Sequence, residues 1–179
     1  MVGMKIMHGF AAIALALSLL PTFLSSAKAQ DDAKDWPMYN RDVTGTRHNR
    51  GETAINATNA SRLEEKWQFP AKGEDREIGV IHATPIVVDG FVYFGTASDA
   101  AFYKLSPDGK LKWSYRNPSR PAPKPPKDEK ERTARFQSSP DGILASALVT
   151  RDTVFFVDIG GWVYALDRAT GMERWKLNS

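Results

Sequence analysis

One stretch is written twice in this chain, and the repeat restricts the fold more than any other feature. Ala165-Leu166-Asp167-Arg168-Ala169-Thr170-Gly171-Met172-Glu173-Arg174-Trp175 reads as a strand, a polar turn closing on glycine, and a short strand carrying an aromatic. Asp and Thr can hydrogen-bond such a turn locally, and Gly supplies the positive φ that closes it. With Trp113 set over Trp175, Asp108-Gly109-Lys110-Leu111-Lys112-Trp113 lies over Thr170-Gly171-Met172-Glu173-Arg174-Trp175. Further upstream, Thr84 to Phe94 lies over Ser146 to Phe156. Each copy runs apolar strand, turn, apolar-aromatic strand, turn, strand with Tyr103 or Tyr164, turn, tryptophan. A third tryptophan, Trp67, ends Leu63-Glu64-Glu65-Lys66-Trp67, the tail of a unit whose beginning is missing. The tryptophans stand 46 and 62 residues apart; with the spare 16 residues of the second interval assigned to an insertion, four strand signals per unit at a spacing of about 40–50 residues predict the blades of a β-propeller. The fold class expected is all-β: a partial propeller of about two four-stranded antiparallel blades plus a closing N-terminal segment.

The stretch from Ala165 to Trp175 resembles the tryptophan-docking motif of the quinoprotein (pyrroloquinoline quinone, PQQ) dehydrogenase propellers. Its anchors are Ala165, Asp167, Thr170, Gly171 and Trp175. In that family the Trp packs between blades, against the Gly turn and small Ala of a neighbour. The copy ending at Trp113 departs from the pattern, with Lys104 at the Ala position and Ser106 at the Asp position. The opening Asp35-Trp36-Pro37-Met38-Tyr39-Asn40-Arg41-Asp42 and Asn59-Ala60-Ser61-Arg62-Leu63 also resemble the mature start of those enzymes. A looser likeness joins Ile81 to Leu105 to polyvinyl-alcohol dehydrogenase-like members.

In chain order, residues 1–29 read as an export signal. Lys5 and His8 precede the apolar stretch Phe10 to Leu20, and Ala27-Lys28-Ala29 offers a small-x-small cleavage site before Gln30. The stretch is shorter than the roughly 20 residues a membrane span needs, so a periplasmic or secreted protein without a membrane span is expected. Without Lys5 and Lys28, the 24 basic side chains fall to 22 against 21 acidic ones. A net charge of +1 lacks the basic excess that nucleic-acid binding requires. The chain has no cysteine, which rules out disulfides and thiolate ligands within it.

Residues 30–66 form a lead into the propeller, anchored by Trp36 and Tyr39, with a helical turn around Ala57 to Glu65 capped by Asn59. Residues 67–115 make the first blade, in which Asp89-Gly90 marks a two-residue hairpin. Residues 116–142 are a proline-rich, charged insertion, expected as an extended surface loop because polyproline segments cannot enter a sheet interior. A partner-docking role is one use of such a loop. Residues 143–179 make the second blade, with Gly160-Gly161 as a turn.

Several functional expectations come from the resemblance alone. His82 stands where quinoprotein alcohol dehydrogenases place a glutamate near the quinone, so it is the candidate cofactor-binding residue; no catalytic or metal-ligating residue is assigned. The vicinal cysteine pair of those enzymes is absent, and Ala145 stands where they carry an arginine. PQQ and Ca²⁺ are the cofactors implied, with ligands mostly in blades beyond this chain. Two blades do not close a ring, so the chain is expected to be an N-terminal fragment, inactive alone. Its partners would be the remaining blades, from the same longer chain or other copies, and an electron acceptor or envelope protein. The alternative is a cofactor-free propeller scaffold for protein–protein interaction, similar to outer-membrane assembly factors.

Overall fold

The computed structural model describes residues 35–120, 124, 126–138 and 142–178. The export signal expected at residues 1–29 lies outside the described residues. Among the described residues, eight strands form two four-stranded antiparallel sheets, each in simple sequential order. The first holds β1 (Ile86–Val88), β2 (Phe91–Gly95), β3 (Ala101–Leu105) and β4 (Leu111–Arg116); the second holds β5 (Leu148–Val149), β6 (Thr153–Val157), β7 (Trp162–Asp167) and β8 (Glu173–Asn178). The repeat seen in the sequence is thus a repeat in space: Ile86 faces Tyr93 across β1 and β2 as Leu148 faces Phe155 across β5 and β6. In the first two strands of each blade, residues 62 apart occupy the same place; in the third strand the offset is 61, with Lys104 opposite Trp113 as Ala165 is opposite Trp175.

Local chemistry explains the turns. Asp89 and Gly90 both have positive φ, 52° and 74°, the conformation whose twist matches antiparallel strands. The Asp35 carboxylate accepts from the Asp89 amide at 3.0 Å and the Gly90 amide at 3.4 Å. Beside it, Trp36 exchanges both backbone hydrogen bonds with Val87 (2.8 and 2.9 Å). The opening segment therefore runs along the free edge of β1, which would otherwise expose unpaired donors and acceptors.

The main core is the seam between the blades. Ile86, Tyr93, Phe102 and Trp113 of the first blade meet Val154, Phe156, Tyr164 and Leu166 of the second, with Ile143 and Ala147 beside them. The Phe102 and Phe156 rings stack with centroids 4.2 Å apart. Burying such a side chain stabilises the fold by about 1.5–3 kcal/mol. β3 is buried along its whole length, because its other face, Ala101, Tyr103 and Leu105, is covered by Trp67, Phe69 and Ile78. On the second blade, Val157, Trp175 and Leu177 are exposed among the described residues.

Two local expectations are corrected. Part of the insertion is helical: α1 spans Glu129–Ser138. Asp128 Oδ1 accepts the Glu131 amide at 2.8 Å, and Glu131 Oε2 reaches back to the Lys127 amide at 2.7 Å, a capping arrangement that lets a charged run start a helix immediately after the prolines. Asn59 sits at the start of a single 3-10 turn, Ala60–Arg62, but makes no side-chain cap. Its amide serves the preceding turn instead, accepting from Asn56 N and donating to Ala54 O.

Candidate functional site

In each sheet β1 or β5 is the first strand, and the two strand starts lie side by side. Ser146 Oγ donates to Thr84 O at 2.9 Å, joining equivalent positions of the two blades. A hollow of about 440 Å³ opens there, walled by Pro37, Met38 and Tyr39 from the opening segment, His82 to Thr84 from the first blade, and Leu144 to Leu148 from the second.

His82 is exposed on the rim. Its counterpart 62 residues on is Leu144, and Ala145 matches Ala83. Tyr39 lies opposite, its ring under the Arg47 guanidinium at 5.4 Å; Arg47 is fixed by Nε donating to Asn40 Oδ1 at 2.8 Å.

The donor set of this hollow suits one part of a quinone and not the rest. Small and apolar side chains provide a wall against which a flat ring can lie, and the His82 imidazole can meet a ring oxygen. The lining holds no lysine or arginine to neutralise the carboxylates of PQQ and no carboxylate to ligate calcium. Among the described residues no cluster of three or more His, Asp or Glu could hold a metal. These residues therefore do not by themselves hold PQQ or Ca²⁺.

The docking set lies at the seam, at the end of the blades away from the hollow. Trp113 packs on the Gly171 turn of the second blade and donates Nε1–H to Arg168 O at 3.2 Å. Trp67 repeats this on the Gly109 turn of the first blade, donating to Pro107 O at 3.1 Å. Trp175, with no blade beyond it among the described residues, is 47 % exposed. Ala165 is fully buried, opposite Trp175 in its own sheet.

Asp167 organises the motif's turn. Its Oδ1 accepts from the Ala169 and Thr170 amides (3.0 and 2.9 Å) and the Thr170 hydroxyl (2.9 Å), while Oδ2 meets Arg174 Nη2 at 2.9 Å. Arg174 first, then Thr170, holds this carboxyl well below the usual carboxylate range. In the first blade Ser106 substitutes, its hydroxyl donating to Asp108 Oδ1 at 2.5 Å.

Two seam residues carry more than sequence reasoning gave them. Lys104 and Arg168 each cross from one blade to the other. The signal is in Lys104 itself, a lysine inside an apolar-aromatic strand at the place Ala165 takes in the second blade.

Residues 36–176 match the family model described as the glucose/ethanol/alcohol dehydrogenase β-propeller domain. The chain belongs to this family of PQQ propellers. A relative, the quinohemoprotein alcohol dehydrogenase of Comamonas testosteroni, is 26 % identical over 145 residues, covering 81 % of this chain and 18 % of the relative. The crystal structure of that enzyme aligns with a TM-score of 0.59 at 24 % identity, over 84 % of this chain and 20 % of its own. The quinohemoprotein alcohol dehydrogenase ADHIIG of Pseudomonas putida HK5 aligns with a TM-score of 0.61, also at 24 % identity, over 84 % and 20 %. Both structural likenesses concern the fold. The chain thus spans about a fifth of the length of these relatives.

Proposed function

We propose that this chain forms the N-terminal blades of an exported, PQQ-dependent alcohol-oxidising propeller and does not oxidise alcohol alone. The family match supports the class of reaction. The observation that carries the division of labour is the hollow, which offers a packing wall and one imidazole but no cation for the quinone's carboxylates and no calcium ligand. When bound, PQQ with its metal supplies the hydride-accepting chemistry. The residues of this chain bound one side of that site. With PQQ bound, His82 would be the polar group offered to the ring, Ala83, Ala145 and Leu144 would form the wall, and Tyr39 with Met38 would close the rim.

Export rests on the reading of residues 1–29, and among the described residues no helix is long and apolar enough to cross a membrane. The exposed face around Trp175 and Leu177 is where a further blade stacks. An electron acceptor is the partner such a reaction requires.

The test is a titration of a chain long enough to close the ring with PQQ, with and without Ca²⁺, followed by quenching of tryptophan emission. Saturable uptake that weakens in His82→Ala, with the unfolding midpoint unchanged, supports the reading. If the closed ring takes up no quinone, the dehydrogenase reading fails and the cofactor-free scaffold stands.

A further inference from the structure

Aromatic side chains cross the seam in an unbroken row. Trp113 and Phe102 of the first blade stack with centroids 6.1 Å apart, Phe102 meets Phe156 of the second at 4.2 Å, and Phe156 meets Tyr164 at 4.7 Å. Tyr115 of the first blade stands against both Phe156 (6.2 Å) and Tyr164 (5.7 Å). Packing alone explains why aromatic rings fill a core. It does not explain the polar groups placed at the two ends of this row.

At the tyrosine end each phenol proton points at a carboxylate. Tyr164 donates to Asp158 Oδ2 at 2.7 Å and Tyr115 to Glu173 Oε2 at 2.5 Å, both within the reach that proton transfer requires. Each carboxylate has a cation beside it, Arg120 at 3.5 Å and Lys176 at 3.3 Å. Asn117 Nδ2 donates to the Tyr164 oxygen at 2.9 Å.

The tryptophan end is the opposite in kind. The Trp113 indole N–H is held by Arg168 O at 3.2 Å, a carbonyl that cannot take its proton. The same carbonyl accepts from Lys104 Nζ at 2.8 Å, and Lys104 stands opposite Trp113 in the sheet, 7 % exposed. A positive charge on the indole is therefore repelled by a cation in a poorly screened place. Tyr93 also touches Trp113 (6.3 Å), but its hydroxyl accepts from Arg168 Nε at 3.0 Å and meets no base there.

The geometry points to a radical relay: an electron vacancy left on Trp113 by an outer-sphere one-electron oxidant moves through the Phe102–Phe156 stack to Tyr164 and Tyr115. The oxidant gains one electron from the indole. The indole radical cation then gains one from Tyr164, whose proton passes to Asp158 Oδ2. Indole is restored, and a neutral phenoxyl radical and a protonated carboxyl remain. Tyr115 with Glu173 is the parallel exit, and the two phenylalanines only bridge. A one-electron reductant from solution returns the electron, and Asp158 the proton. The relay spares the tryptophan whose unaltered ring fits Gly171. It does not depend on quinone binding.

The experiment is flash oxidation of the full chain with photogenerated tris(bipyridine)ruthenium(III), followed by transient absorption. Oxidised tryptophans are then located by peptide mass spectrometry. In the wild type, tyrosyl absorption should rise as tryptophanyl absorption decays, and Trp113 should stay largely intact. Tyr115→Phe with Tyr164→Phe keeps the rings and removes both phenols, so oxidised Trp113 should rise several-fold. Tyr103→Phe, whose ring stacks on Phe94 outside the row (5.2 Å), leaves it at the wild-type level. Val154→Ala, which weakens the core without touching the row, does the same. Should the double variant not fold, Asp158→Asn, which withdraws only a proton acceptor, is read in the same way. The inference is overturned if tryptophanyl decay yields no tyrosyl signal, if the double variant oxidises Trp113 no more than wild type, or if Val154→Ala oxidises it as much.

Discussion

Trp113 lies so close over Gly171 that a Cβ on the glycine would come within 2.6 Å of its ring. One blade's aromatic is thus fitted to the other's missing side chain, and the glycine's φ of 75° excludes most other residues as well. Gly171→Ala meets both the clash and the strained backbone. It should destabilise by about 2–3 kcal/mol, read as a lowered urea midpoint at unchanged slope. Trp113→Phe keeps most of the ring but loses the donor to Arg168 O, and should cost about 1 kcal/mol for the hydrogen bond plus a smaller packing loss.

The same motif predicts acid behaviour. Folding favours ionised Asp167, because Arg174 and Thr170 lower its pKa. Its contribution is therefore fully present above the unfolded carboxylate value of about 4. It is lost as pH falls below that towards the lower folded value. The stability gap between wild type and Asp167→Asn should be constant above pH 5 and shrink below pH 4, measured by urea titration at each pH.

At the alkaline end the sign reverses. Burial, then a bond to Asp158, raises the Tyr164 hydroxyl well above its ordinary value; burial and Glu173 do the same for Tyr115. Both donate across or beside the seam, Tyr164 to Asp158 Oδ2 at 2.7 Å and Tyr115 to Glu173 Oε2 at 2.5 Å. Their contribution is complete below the unfolded value of about 10 and fades as pH rises beyond it. The double variant Tyr115→Phe, Tyr164→Phe should be less stable at pH 7 yet lose less between pH 9 and 11.

Removing the cap of α1 should act locally. Asp128→Ala withdraws the acceptor for the Glu131 amide, about 1 kcal/mol of helix stability. Circular dichroism should show reduced helix content, while the unfolding midpoint of the two sheets stays within 2 °C, about the shift expected for well under 1 kcal/mol.

Much of this architecture was legible in the sequence, because the repeat is carried by residues with narrow backbone or packing requirements. Asp89-Gly90 demands its hairpin, Gly171 its turn, and the aromatic runs of β2 and β3 need cover on both faces. Three features were not legible, each for a physical reason. α1 follows a proline-rich stretch and carries many charges, so its Asp128–Glu131 cap was the one local sign of it. Lys104 looked like a lapse in the motif, because its acceptor, Arg168 O, lies 64 residues away. The hollow depends on which strand starts meet, and only the packed blades bring His82 near Tyr39 and Ala145. The resemblance selected His82, and the fold places it on the rim of that hollow.

The central claim is that Trp67 and Trp113 each dock on the glycine turn of the following blade. Hydrogen exchange of the indole Nε1–H groups, followed residue by residue by NMR, tests it most directly. The account predicts slow exchange for Trp113 and Trp67, whose protons are held by Arg168 O and Pro107 O, and fast exchange for the half-exposed Trp175. Equal, rapid exchange at all three would contradict it.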